Sequence, residues 1–179
     1  AISDGSQWNV TDNSNASAIV LNAGTINFQN SGSNATKTIT TSSFSGNGGT
    51  LNFNTVLNEG DVNTVSDQLI VNGDASGRHQ ILINPLGGSG AQTVNDGIKL
   101  ATINGQDNSS VTLAKPVVAG AYEYLAYNGG QSGEGWYLRS TIEPQPTPGT
   151  EPTPGTEPQP GTEPSTPPIP VPASKPAYN

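Results

Sequence analysis

The chain has 179 residues and no cysteine, with 31% hydrophobic residues, 11% charged residues and a net charge of −8. Those values exclude a disulfide framework, and nothing in the sequence forms the Lys/Arg patch that binds nucleic acid. Gly, Asn, Ser and Thr make up the balance, a mixture poor in helix formers and suited to short strands joined by many turns. The sequence opens on Ala and contains no Met, which reads as a processed product or an excised piece of a longer chain. It shows no signal-peptide pattern and no run apolar enough for a membrane helix.

Taken in order, residues 7–10 and 17–21 read as strands, and residues 36–40 as a polar, β-branched one. Gly24-Thr25-Ile26-Asn27-Phe28 then recurs as Gly49-Thr50-Leu51-Asn52-Phe53, so Phe28 and Phe53 are 25 residues apart. Further strands are expected at 68–71, 80–83, 98–101 and 111–113. Phe53 to Ile83 and Ile83 to Leu113 are steps of 30, and Leu113 to Leu138 is again 25. Such intervals belong to solenoid coils. Within each strand the apolar residues alternate (Ile26/Phe28, Leu51/Phe53, Ile81/Ile83, Val111/Leu113), so one face is buried and the other solvated. The expectation is an all-β fold, a right-handed parallel β-helix. A sandwich would also show short strands and turns, but not the near-regular spacing.

Glycine clusters mark turns at 46–49, 72–74, 87–90 and 104–105. Asn recurs beside the strands at Asn22, Asn27, Asn52, Asn54, Asn72, Asn84 and Asn104. Side-chain amide ladders are one reading; turn propensity is the favoured one. Residues 119–127 and 136–140 form two aromatic strands joined by the turn-rich run 128–135, a hairpin-like cap that closes the stack. After Ser140, Glu-Pro-Thr-Pro-Gly-Thr and Glu-Pro-Gln-Pro-Gly-Thr repeats read as a disordered, semi-stiff proline-rich tail. A PxxP ligand role lacks the flanking basic residues.

Chemistry-bearing residues are sparse. His79, the only histidine, reads as an exposed strand or turn residue rather than a base. Asp67 and Asp96 each precede a strand; they could pair as catalytic carboxylates, but satisfying turn amides is the favoured reading. No metal-ligand spacing, calcium loop or phosphate loop is present. Catalytic, cofactor-binding and metal-binding residues are therefore all expected to be absent. The Asn-x-Ser/Thr sequons are expected by chance in so polar a chain.

Residues from about 44 to 140 resemble the C-terminal end of a bacterial autotransporter passenger, the autochaperone or pertactin-like junction of type V secretion. The residues that carry the likeness run in order. They are Gly49-Thr50-Leu51-Asn52-Phe53-Asn54-Thr55, Asp67-Gln68-Leu69-Ile70-Val71-Asn72-Gly73-Asp74-Ala75-Ser76-Gly77, and Gly88-Ser89-Gly90 with Thr93. Gly97-Ile98-Lys99-Leu100, Gly120-Ala121-Tyr122-Glu123-Tyr124 and Trp136-Tyr137-Leu138-Arg139-Ser140 complete them. Pro85-Leu86 departs from the pattern and suggests a local bulge or edge.

The resemblance implies three segments: end rungs of a passenger β-helix (1–43), an autochaperone-like cap (44–140) and a linker toward an outer-membrane β-barrel (141–179). It implies a non-enzymatic folding nucleus that supports secretion and vectorial folding at the bacterial surface. Its folding-cap candidates are Gly97, Gly120, Tyr122, Tyr124, Trp136, Tyr137 and Leu138. The implied partners are the protein's own barrel and N-terminal rungs. A host-cell surface or self-association would be reached through an adhesin or autoaggregating parent. A glycan-binding or glycan-cleaving β-helix and a passive stalk are the competing readings.

Overall fold

The computed structural model describes residues 1–142, which fall within one compact unit. The first two residues of the expected proline-rich tail, 141–142, instead end a strand, and the rest of it lies outside the described residues.

Four coils and part of a fifth stack on one another. The first comprises β1 (Ile2–Ser3), β2 (Gln7–Val10) and β3 (Ser14–Ala16). The second repeats it as β4 (Ile19–Asn22), β5 (Thr25–Phe28) and β6 (Thr38–Thr41). In the third, β7 (Phe44–Thr55) runs over both β4 and β5 as one strand, followed by β8 (Gln68–Val71). The fourth is β9 (Ala75–Pro85) and β10 (Ile98–Ile103), and β11 (Asp107–Leu113) begins a fifth. Successive coils pair in parallel, one sheet holding β1, β2, β4, β5, β7, β9 and β11, the other β3, β6, β8 and β10. The architecture is a parallel β-helix.

The core is built of columns. Trp8, Ile26, Leu51, Ile81 and Leu113 lie one above another across five coils. Ile39, Leu69 and Ala101 form a second column, and Phe28 stacks on Phe53 with centroids 5.3 Å apart. The repeat seen in the sequence is therefore a physical step of one coil, with Ile26 paired to Leu51 and Leu51 to Ile81. Alternating burial follows from the pleat, inward residues being sealed and outward ones solvated.

The structure corrects three expectations. Leu113 pairs with Ile81, not Ile83. The slip is by two residues, so it keeps the same face inward and alternation cannot detect it. Leu138 is not a further parallel rung; it faces Ile98 in an antiparallel strand. The glycine run 46–49 is not a turn but the middle of β7. There Gly46, at φ 132°, lets the strand bend so tightly that a Cβ would sit 2.0 Å from the Leu21 carbonyl oxygen. Of the two alternatives at Pro85, edge is the one observed: it pairs with Thr55 at the end of β9, where β11 pairs no further than Ile81, and the register shift between β7 and β9 lies at Asn47/Gly49.

The amide ladders, the less favoured reading of the asparagines, are present. Asn52 Nδ2 donates to Asn27 Oδ1 (3.3 Å) and Asn27 Nδ2 to Asn9 Oδ1 (3.0 Å). Asn104 donates likewise to Asn72 across one coil (3.3 Å). Parallel in-register stacking places identical side chains in line, so a residue that suits a turn also suits a ladder.

Candidate functional site: the cap on the last coil

Three antiparallel strands close the helix: β12 (Val117–Ala119), β13 (Tyr122–Gly130) and β14 (Gly133–Ile142). The run 128–135, expected as a loop, is mostly strand; only Gln131 and Ser132 connect β13 to β14. Gly129 (φ 74°) lies within β13 beside the register shift between Asn128 and Gly130, which marks a bulge. β14 pairs antiparallel with β10, Ile98 opposite Leu138 and Ala101 opposite Trp136. A bulge between Lys99 and Ala101 accompanies burial of both Leu100 and Ala101, so two consecutive side chains face the core beneath the cap.

Of the cap residues singled out from the sequence, Tyr124, Trp136, Tyr137 and Leu138 are buried, and Tyr122 is half-buried against the core. Trp136 lies 5.7 Å from Phe44 and 6.0 Å from His79 between ring centroids, and its Nε1 donates to Ser109 Oγ (2.9 Å). The Tyr124 hydroxyl lies 3.0 Å from the Asn58 carbonyl and 3.2 Å from that of Ala91, and it accepts the Ala91 N–H at 3.0 Å. One side chain thus ties the hairpin to the loops that follow β7 and β9. Gly97 (φ 82°) lies so close to β14 that a Cβ would be 2.2 Å from the Leu138 carbonyl oxygen. At Gly120 (φ 59°) the corresponding approach is 2.4 Å, to the Ser89 carbonyl oxygen.

The two acidic candidates are occupied by backbone, as turn-satisfying groups. Asp67, fully buried, accepts the N–H groups of Lys37 (2.7 Å) and Asn54 (2.7 Å) and the Asn54 side-chain amide (2.8 Å). Asp96 accepts the N–H groups of Gln131 (2.8 Å) and Ser132 (2.7 Å), the two residues of the hairpin connection. Hydrogen bonding from the Ser132 side chain, then from the Gln131 and Ser132 amides, holds the Asp96 carboxyl down to about 2, with nearby Arg139 helping. Arg139 pairs with Asp96 at 3.3 Å, donates to the Gly129 carbonyl at 2.9 Å, and lies over the rings of Tyr127 and Tyr137. His79 corrects another expectation: it is a core residue, 2% exposed, because its strand position points inward against Phe44 and Trp136.

Two features of the cap were missed. Asn128, read as a turn residue, presents its carboxamide to the open edge of β11. Its Oδ1 accepts the Val111 N–H (3.3 Å) and its Nδ2 donates to the Ser109 carbonyl (3.0 Å), the pairing another strand would make. Ser140 and Thr93 exchange bonds similarly, Thr93 N–H to Ser140 Oγ (2.8 Å) and Ser140 N–H to Thr93 Oγ1 (3.1 Å). Neither leaves a sequence signal beyond residue type, since both depend on pairing partners far along the chain. Among the described residues, no group of three or more His, Asp or Glu is placed to hold a metal ion.

Residues 14–126 match the family described as Autochaperone Domain Type 1. The chain belongs to that family. This autochaperone domain is 38% identical over 117 residues to the autotransporter adhesin AIDA-I of Escherichia coli, covering 63% of this chain and 9% of the relative. It is 40% identical over 116 residues to the adhesin BmaC autotransporter of Brucella suis biovar 1, covering 59% of this chain and 3% of the relative. Identity to the probable autotransporter YfaL of E. coli is 34% over 147 residues, 78% of this chain and 11% of the relative. The autochaperone domain thus spans less than an eighth of the length of these curated relatives. Its family assigns it to the folding and stabilisation of an autotransporter passenger.

Proposed function

We propose that the β13–β14 hairpin and the coils it closes are the folding nucleus and stabilising cap of a longer, surface-exposed passenger. One observation carries the reading: the C-terminal end of the stack is closed. There the hairpin pairs with β10 and Asn128 occupies part of the β11 edge. A pre-formed, closed end suits a template, because the cost of the first coil is met once and later coils add against it.

On this reading residues 1–43 are end rungs of the passenger, the cap runs from 44 to the end of β14 at 142, two residues beyond the expected boundary, and the remainder is a linker toward an outer-membrane β-barrel. Emergence at the cell surface with the C-terminal end first lets the cap fold before the coils preceding it. The partners are the protein's own barrel and N-terminal rungs, and the parent is an adhesin or autoaggregation factor, reaching a host surface or another copy through those rungs. Adhesin relatives support the parentage. The glycan-cleaving alternative loses support because Asp67 and Asp96 are both committed to backbone amides.

The test replaces Trp136 with Asp and follows urea refolding of this chain, together with surface display of a passenger that carries it. The nucleus reading expects loss of cooperative refolding and of display. A passive stalk expects display to be unchanged, and that result would sink the proposal.

A further inference from the structure

His79 is the chain's single histidine, and it sits where the coils meet the cap. Its ring centroid is 4.8 Å from that of Phe44 on β7 and 6.0 Å from that of Trp136 on β14. Phe44 and Trp136 also touch each other, so an ionisable ring forms one corner of the cluster that fastens the hairpin to the coils. Nε2 lies 2.9 Å from the Ser76 carbonyl oxygen, which assigns the proton of the neutral ring to that nitrogen. Nδ1 is buried and has no partner.

A neutral imidazole fits this place, because an unfilled acceptor is its only deficit. An imidazolium does not, because its second N–H would be buried with nothing to accept it. The surrounding elements offer little relief. Phe44 and Trp136 bring no charge, and Arg78, the neighbour on β9, is on the exposed face. β11 brings Asp107, but one of its carboxylate oxygens is taken by Ser109 and the other by Asn128 Nδ2 (3.0 Å).

We propose that His79 is an acid-sensitive latch: uptake of one proton there undocks the β13–β14 hairpin, while the coils beneath remain paired. Burial pushes the imidazole below its ordinary 6.5, with the Ser76 carbonyl and Asp107 acting in the opposite direction. The undocked state therefore binds the proton more tightly than the docked one. Docking is at full strength above the ordinary value and weakens as pH falls below it. The equilibrium changes by about tenfold per pH unit until the docked-state value is reached.

The experiment uses the full chain carrying Trp8→Phe, so that Trp136 alone reports fluorescence. Between about pH 7.5 and about pH 5, Trp136 emission should move to longer wavelength while the far-ultraviolet strand signal persists. In His79→Phe the emission should stay constant over the same range. An unmoved Trp136 signal in the parent, or an equal acid response in His79→Phe, overturns the latch. Should His79→Phe fail to fold, nuclear magnetic resonance of the single imidazole in the parent decides. The docked ring's resonances must disappear in step with the Trp136 change, and a ring that titrates while Trp136 is unmoved overturns the proposal.

Discussion

Replacing Tyr124 with Phe removes one oxygen and leaves the buried ring in place. That oxygen donates a single proton, to the Asn58 carbonyl at 3.0 Å or the Ala91 carbonyl at 3.2 Å, and accepts the Ala91 N–H at 3.0 Å. Losing the donated bond costs about 1 kcal/mol, and leaving the Ala91 N–H without its acceptor costs about 1–3 kcal/mol. Ala91 is half-buried, so water recovers part of the second amount, and the expected loss is about 2 kcal/mol. Urea unfolding followed by near-ultraviolet circular dichroism measures it. Faster hydrogen exchange at the Ala91 amide should accompany the loss. Tyr122→Phe is the internal control: Tyr122 is half-buried and its hydroxyl has no side-chain partner among the described residues, so the change should stay within about 0.5 kcal/mol. Equal effects at the two tyrosines would refute the reasoning, because each change leaves its ring in place and, of the two hydroxyls, only that of Tyr124 has hydrogen-bond partners to lose among the described residues.

Trp136→Ala should cost about 3–5 kcal/mol, the range for truncating a fully buried aromatic, and a loss under about 1 kcal/mol in the same unfolding assay would show that the cluster does not hold the cap. Gly97→Ala should cost at least about 2 kcal/mol, because φ 82° is strained for alanine and its methyl would meet the Leu138 carbonyl oxygen at 2.2 Å. Asp96 titrates at about 2 in the folded chain against an ordinary 3.8, so the unfolded chain binds the proton more tightly between those values. Its contribution is complete above 3.8 and is lost as pH falls toward 2. Asp96→Asn should lower stability at neutral pH and flatten the acid limb of the stability curve through that window, and an acid limb of unchanged slope would contradict it.

The periodic part of this molecule was legible in its sequence. Ile26/Phe28 and Leu51/Phe53 alternate at the coil spacing because burial imposes period two along each strand and stacking imposes the same residue type across coils. The less periodic features were harder. The slip that pairs Leu113 with Ile81 rather than Ile83 leaves the pattern intact, so no count of apolar positions detects it. The glycines at 46–49 read as a turn because glycine signals backbone freedom without saying whether a chain reverses or only bends. His79 read as exposed because nothing in its own polar stretch marks it as buried, whereas here Phe44 and Trp136, far apart in sequence, pack against it. The cap residues were legible as aromatics, but the Asn128 contact to β11 depends on three-dimensional pairing alone.

A parallel stack has no natural end. Each coil presents the N–H and C=O groups of its last strand to whatever comes next, and an unprotected edge invites pairing with another chain. This chain ends its stack in two ways that differ in kind. In the sheet of β10, an antiparallel strand takes the place of the next coil, and β13 and β12 follow it within the same sheet. In the sheet of β11, the side-chain amide of Asn128 offers one donor and one acceptor where a peptide group would. The two are coupled, because Asn128 stands directly opposite Trp136 in the hairpin. The residue that blocks one edge and the ring that fastens the cap are therefore placed by a single register. A slip in that register would expose β11 as it displaced Trp136, so edge protection and docking are gained or lost together. That coupling lets so few residues close the stack.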